Sequence, residues 1–175
     1  TMFRKAYPYD GSARVPLIFA GPRGSGILSN RSYDQVVELR DLMPTLLDCA
    51  GLPIPDSVQG KSFLPLMEGE PETWREFLHG EHVVFGQSIQ WLTDGKEKYI
   101  WWSANGREQF FDLVADPQEL NDLTLTGIAP ERLALWRQRL VEQLREREEG
   151  FVREGMLVTG RPVHPILAHL RMEAG

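Results

Sequence analysis

The sequence is poor in the residues that most often staple or metallate a small protein, with one cysteine and four histidines in 175 residues. Cys49 alone makes neither an intramolecular disulfide nor a multi-cysteine zinc site, so the fold needs no oxidising compartment and is compatible with a reduced cytoplasm. Apolar runs are short, and none approaches the ~18 residues a membrane span needs. Thr1-Met2-Phe3-Arg4-Lys5 carries two positive charges but runs into Tyr7-Pro8-Tyr9-Asp10-Gly11, so no signal peptide is read here and the chain starts abruptly, as a cut fragment does. Positive charge is also in deficit: 19 Lys and Arg against 25 Asp and Glu leave a net charge of −6. The field that draws proteins onto nucleic acid or anionic membrane is therefore missing overall, and neither is an expected partner.

Several catalytic signatures are absent. Gly60-Lys61-Ser62 has the end of a phosphate-binding loop, but Pro55 stands where the earlier glycine belongs and no strand leads in. Gly21-Pro22-Arg23-Gly24-Ser25-Gly26 lacks dinucleotide-binding spacing, and no GxSxG elbow supplies a serine nucleophile. His79-Gly80-Glu81-His82 offers two imidazoles and a carboxylate without an HExxH frame; the readings open are a metal site, the lining of a polar cleft, and plain surface or core histidines. His164 and His169 read as structural or solvated, and Cys49 as a small core residue on an apolar helix.

What is present is ordinary globular material, 42% hydrophobic and 25% charged, enough to bury roughly 70% of the unfolded surface. Val15-Pro16-Leu17-Ile18-Phe19-Ala20 has the pattern of a strand buried on both faces, which needs neighbours the chain scarcely supplies. Val36-Val37-Glu38-Leu39 reads as extended. Asp41 then caps a helix from about Leu42 to Ala50 with Met43, Leu46, Leu47 and Ala50 on its apolar face. Beyond the Pro- and Glu-rich joint Glu68-Gly69-Glu70-Pro71-Glu72, three runs, Ser88–Thr93, Lys96–Trp102 and Arg107–Leu113, are spaced by Asp94-Gly95 and Asn105-Gly106, the pairs that supply positive φ for hairpins. They predict an antiparallel meander, joined by a strand near Val83–Phe85. Pro130 opens a helix whose stripe Leu133, Trp136, Leu140 and Leu144 covers one sheet face. The resulting expectation is an α/β (α+β) chain: the tail end of an α/β layer over residues 1–70, a small antiparallel sheet with a helix over 71–150, and an irregular tail over 151–175.

Lys5-Ala-Tyr-Pro-Tyr-Asp-Gly-Ser-Ala-Arg14-Val-Pro16 resembles the sulfatase pattern of a lysine, a Tyr-Glu/Asp-Gly turn, then Arg and Pro before a buried strand. Asp41-Leu-Met-Pro-Thr-Leu-Leu, Gly60-Lys-Ser-Phe-Leu-Pro-Leu and Phe110-Phe-Asp-Leu followed by Asp116-Pro-Gln-Glu119-Leu-Asn-Asp-Leu123 are similar to further landmarks of that family, in the same order. Leu78-His-Gly-Glu-His82 before Lys98-Tyr99-Ile100-Trp101 is similar to a group of bacterial arylsulfatase-like enzymes. The resemblance implies the C-terminal part of a bacterial sulfatase with an alkaline phosphatase-like main domain, acting on a small sulfate ester, with Lys5 as a catalytic cation. It also implies a formylglycine, made within CxPxR or SxPxR, and a divalent cation, usually calcium, in the full-length enzyme. Neither pentapeptide occurs in this chain, and the metal ligands of the family precede the lysine motif. No cofactor is therefore expected on the chain itself, which alone should be inactive; its implied partner is the N-terminal part of the same enzyme. His79 and His82 are candidates for substrate recognition. Arg14 is either a substrate contact or a brace for a carboxylate such as Asp10. Two alternatives stand beside the sulfatase reading: a phosphonate monoester or phosphodiester hydrolase of the same superfamily, and a non-catalytic interaction module whose exposed strand edge at Val15 pairs with a partner or a second copy.

Overall fold

The computed structural model describes residues 6–69, 73–127 and 130–163; Lys5, His164 and His169 lie outside the described residues. In chain order the elements are α1 (Asp10–Ala13), a 3-10 turn (Leu39–Asp41), α2 (Leu42–Cys49), α3 (Leu64–Glu68), β1 (Leu78–Val84), β2 (Gln87–Thr93), β3 (Glu97–Trp102), β4 (Glu108–Asp112), a second 3-10 turn (Leu123–Leu125), α4 (Pro130–Leu144), β5 (Val152–Arg153) and β6 (Met156–Leu157). Contacts divide the chain into one unit of Thr1–Val15 with His79–Gly175 and another of Pro16–Leu78.

The first unit is built on a four-stranded sheet in the order β1-β2-β3-β4. Strands β2 and β3 pair antiparallel with Trp91 opposite Ile100, and β3 and β4 with Lys98 opposite Phe111. Each connection has its own turn chemistry. Phe85 and Gly86 both adopt positive φ between β1 and β2, the geometry of a two-residue hairpin. The Asp94-Gly95 connection is wider than a two-residue turn, because Thr93 pairs with Lys98. The Asp94 carboxylate accepts the Lys96 and Glu97 amides there, at 2.8 and 2.7 Å. Gly106 takes φ of 74° between β3 and β4.

Both faces of the sheet are covered, so Lys98, Tyr99, Ile100 and Trp101 are all buried in the central strand β3. On one face lie Trp136, Leu140, Val141 and Leu144 of α4 together with Phe151, whose ring meets Trp101 edge-on at 5.6 Å. The stripe read from the sequence is the buried one, with Val141 added and Leu133 only half-buried. Within the stretch read as irregular, Val152–Arg153 and Met156–Leu157 close a short antiparallel hairpin. The opposite face, Ile89, Ile100, Phe111 and Leu113, is covered by Tyr7 and Tyr9.

The second unit departs from several sequence expectations. Residues 15–20 take no strand assignment, and Val15, Leu17 and Ile18 are exposed; a strand buried on both faces cannot form its ladder without neighbours. Residues 36–38 are irregular, and the chain tightens into the 3-10 turn at Leu39. Helix α2 forms where expected but turns Pro44 and Thr45 inward, leaving Met43, Leu46 and Cys49 exposed. Cys49 is therefore not a core residue. The reason is polar: Thr45 Oγ1 donates to the Asp41 carbonyl at 2.6 Å and accepts the Phe63 amide at 3.0 Å, which fixes that side of the helix inward. Partial desolvation, with the neighbouring Asp48 and Glu68 carboxylates, nonetheless raises the pKa of this exposed thiol.

The Gly60-Lys61-Ser62 segment wraps around fully buried Asp41. The Lys61 amide donates to Asp41 Oδ1 at 2.8 Å and Ser62 Oγ to Asp48 Oδ2 at 2.6 Å. A Cβ on Gly60 would lie 2.0 Å from the Arg40 carbonyl oxygen, so this glycine serves a close backbone approach. Phe63, Leu66 and Met67 form the small core. A groove of about 540 Å³ beside it is lined by Leu17, Phe19, Tyr33, Phe63 and Met67, among others.

Candidate functional site

The segment following Lys5 is held on the sheet by both apolar and polar contacts. Tyr7 packs against Trp102 with ring centroids 6.0 Å apart, and Tyr9 meets Phe111 edge-on at 6.0 Å. Pro8 between them is buried; its ring fixes its own φ and keeps Tyr7 out of the helical region, so the segment crosses the face extended. Tyr9 Oη donates to Gln109 Oε1 at 2.9 Å, and the same oxygen accepts Trp102 Nε1 at 3.3 Å.

At Asp10 the contacts become ionic. Lys98 is 1% exposed and its ammonium donates to the Asp10 carboxylate and, at 2.8 Å, to Glu119 Oε1. Glu119 Oε2 accepts the Asp10 backbone amide at 2.5 Å. Two stretches singled out in the sequence, around Asp10 and around Glu119, thus meet at Lys98, which opens a third such stretch, Lys98-Tyr99-Ile100-Trp101, but had no role assigned to it. The loop carrying Glu119 is braced by its own carboxylates. Asp112 Oδ1 accepts the Val114 and Ala115 amides at 3.0 Å, Asp116 Oδ2 accepts the Asn121 amide at 2.7 Å, and Asp122 Oδ1 accepts the Phe110 amide at 3.2 Å. Glu119 itself sits at φ of 55°, an uncommon conformation for a residue with a Cβ.

Alternation along β1 separates the two histidines. Gly80 abuts the Trp91 ring, which a Cβ would approach to 2.2 Å. His82, two residues on, shares that face with the Tyr7 and Tyr9 segment and is exposed. His79 points to the α4 side, where its Nε2 lies 2.7 Å from Oε1 of fully buried Gln90. Gln90 Nε2 donates to Ser88 Oγ at 2.6 Å and to Glu81 Oε2 at 3.2 Å. Arg147 holds Glu81 at 2.9 Å and Glu149 at 2.7 Å. Arg14 is 78% exposed, 3.7 Å from Asp10 Oδ2, an ion pair worth little in solvent. Among the described residues no three His, Cys, Asp or Glu side chains come together as a metal site. The described residues therefore do not fit a divalent cation.

A second charged cluster lies under α4. Tyr99 is fully buried and donates to Glu108 Oε1 at 2.5 Å, while Arg137 grips both Glu108 oxygens at 2.6 and 2.7 Å. Burial, with Glu108 as hydrogen-bond acceptor and neighbouring charge, pushes the Tyr99 phenol well above its ordinary value. Burial alone would raise the Glu108 carboxyl, but the bonds from Arg137 and Tyr99 outweigh it and leave it lowered.

Comparison with known proteins gives a consistent set of likenesses. The profile of the family described as N-sulphoglucosamine sulphohydrolase, C-terminal, matches residues 1–149. The chain is 43% identical over 172 residues to an arylsulfatase of Clostridium perfringens, covering 97% of this chain and 35% of that protein. It is 35% identical over 136 residues to arylsulfatase K of Canis lupus familiaris, covering 69% of this chain and 24% of that protein. Among solved structures, BT1596, a 2-O GAG sulfatase, superposes with a TM-score of 0.66 at 25% identity, over 77% of this chain and 30% of that one. The chain thus spans about a quarter to a third of the length of the curated relatives it matches.

Proposed function

From the premise that this chain belongs to the N-sulphoglucosamine sulphohydrolase C-terminal family, we propose that it is the C-terminal part of a longer enzyme that hydrolyses sulfate esters, and that Lys5 is its contribution to catalysis. The chain is homologous to arylsulfatases, and its mixed fold with a small antiparallel sheet is that of its sulfatase structural neighbours. One observation carries the reading of Lys5: the residues directly after it are held on the sheet by two aromatic contacts, a tyrosine hydroxyl and a buried lysine. Such a segment suits a group whose position matters.

An ammonium directed at a sulfate ester would lie against the sulfuryl and bridging oxygens. It would counter the negative charge that grows on the departing oxygen in the transition state, an interaction stronger there than in the ground state. The nucleophile and any divalent cation belong in this reading to the N-terminal part of the enzyme. The unpaired apolar run at residues 15–20, the groove beside it and the exposed apolar side of α2 are the surfaces proposed to receive that part, which accounts for roughly two thirds or more of the relatives' length. Of the secondary candidates, His82 shares the sheet face covered by Tyr7 and Tyr9 and is proposed to touch substrate. His79 is held by Gln90, and Arg14, exposed and 3.7 Å from Asp10, is assigned no substrate contact.

The test is Lys5→Ala in the whole enzyme, assayed on an aryl sulfate, a phosphodiester and a phosphonate monoester. Removing one preorganised cation is expected to lower kcat on the sulfate ester by about 10²–10³-fold. An undiminished kcat refutes the role of Lys5, and a preference for either phosphorus ester refutes the substrate class.

A further inference from the structure

We propose that Lys98 and Glu119 are positioning residues for the reaction, a buried ionic clamp that fixes the backbone at Asp10, in the segment that follows Lys5. The inference rests on the catalytic reading of Lys5 and extends it to two side chains that lie in family landmarks but were given no role by them.

A lysine 1% exposed is costly to keep, since taking an ammonium out of water costs several kcal/mol unless the pairing is complete. Replacing such a pair with apolar residues is often neutral or stabilising, so stability alone is a weak reason for it in a sheet face otherwise made of Ile89, Ile100, Phe111 and Leu113. What the ion cluster supplies is direction. Tyr7 and Tyr9 bury area against Trp102 and Phe111, and such contacts tolerate sliding. The Glu119 carboxylate is different: one oxygen receives Lys98 Nζ at 2.8 Å and the other the Asp10 amide at 2.5 Å, so it grips side chain and backbone together. Asp10 adds its own carboxylate to the same ammonium.

The grip acts five residues from Lys5. The intervening Tyr7-Pro8 is conformationally restricted, so a displacement at Asp10 is passed along the chain instead of being absorbed. Glu119 is equally well held, at positive φ in a loop whose carboxylates cap backbone amides. Catalytic groups must be held to about 0.5 Å, and a misplacement of about 1 Å costs on the order of 10²-fold.

The test is Glu119→Gln in the whole enzyme, alone and combined with Lys5→Ala, on aryl sulfates of graded leaving-group pKa. Glutamine keeps the shape and leaves Lys98 paired with Asp10, so the buried ammonium is not stranded. The expected result is a loss of about 10–100-fold in kcat with a smaller change in KM. The loss should grow with leaving-group pKa as it does for Lys5→Ala, and should shrink below about twofold once Lys5 is gone, because two residues acting as one unit are non-additive. If Glu119→Gln does not fold, Glu119→Asp is read the same way, since it keeps a charge for Lys98 while a side chain shorter by one methylene cannot hold both the ammonium and the residue 10 amide. A kcat within twofold of wild type, where Lys5→Ala is crippled, overturns the clamp and leaves the Lys5 reading standing. A loss equal for every leaving group that multiplies with Lys5→Ala marks a merely structural role and overturns it too. A fully active Lys5→Ala overturns both readings.

Discussion

Replacing Asp41 by alanine probes whether one buried carboxylate organises the Pro16–Leu78 unit. Its side chain is fully buried and takes three donors: Arg75 Nη2 at 2.7 Å, the Lys61 amide at 2.8 Å and the Glu38 amide at 2.9 Å. Alanine removes the acceptor from all three. Each donor left without a partner costs about 1–3 kcal/mol. Arg75 keeps Glu38 Oε1 at 3.0 Å, so its charge stays partly paired and the sum falls at about 3–5 kcal/mol, the range for opening a buried ion pair. Set against the ~5–15 kcal/mol that typically holds a domain together, this brings the unit close to unfolding. The assay is hydrogen exchange read by mass spectrometry, comparing peptides over residues 36–48 and 60–69 with peptides over 87–113 from the sheet. Protection in the first group should fall about 10²–10⁴-fold while the second stays near wild type, since contiguous units open separately. A loss below about 1 kcal/mol in the first group, under half of what even a single orphaned pair of amides costs at the middle of its range, would refute the three-donor account.

Two further predictions concern the sheet unit. Glu108 has a lowered carboxyl in the fold relative to its ordinary 4.5, so its contribution to stability is complete above that value and is lost as pH falls through the folded one. Acid titration of stability should therefore be shallower in Glu108→Gln than in wild type below about pH 5, as followed by urea midpoints; parallel curves would contradict the pairing with Arg137. Gly80→Ala places a methyl 2.2–2.6 Å from Trp91 ring atoms. Since Gly80 has no positive φ to relieve, overpacking should dominate and cost about 1–3 kcal/mol. A thermal melt unchanged or raised would show that the Trp91 ring moves aside freely.

Local chemistry made much of the sheet unit legible. Asp94-Gly95 and Asn105-Gly106 mark two connections because few other residues supply positive φ, and the stripe from Leu133 to Leu144 reads as one helix face because the 3.6-residue period is a property of the backbone. Lys98 was visible as the first residue of a family-like motif, but not as a buried cation. It stands two residues before Ile100 and four before Trp102, on the side of β3 that alternation turns toward the Tyr7 and Tyr9 segment, yet a lysine in a strand is ordinarily solvated.

In the Pro16–Leu78 unit the same rules misled. An apolar period in α2 says that one side wants cover but not which cover is at hand, and Thr45 with Asp41 outweighed Met43, Leu46 and Cys49. The sequence alone thus determined the meander, the covering helix and the family landmarks, all carried by neighbours within a few turns of one another. The tertiary structure alone decided that Asp10 would meet a lysine 88 residues away and a glutamate 109 away, and that His79 and His82 would part. Pairings at that range have no local period to betray them; they exist only once the sheet's face has brought distant side chains within hydrogen-bond reach.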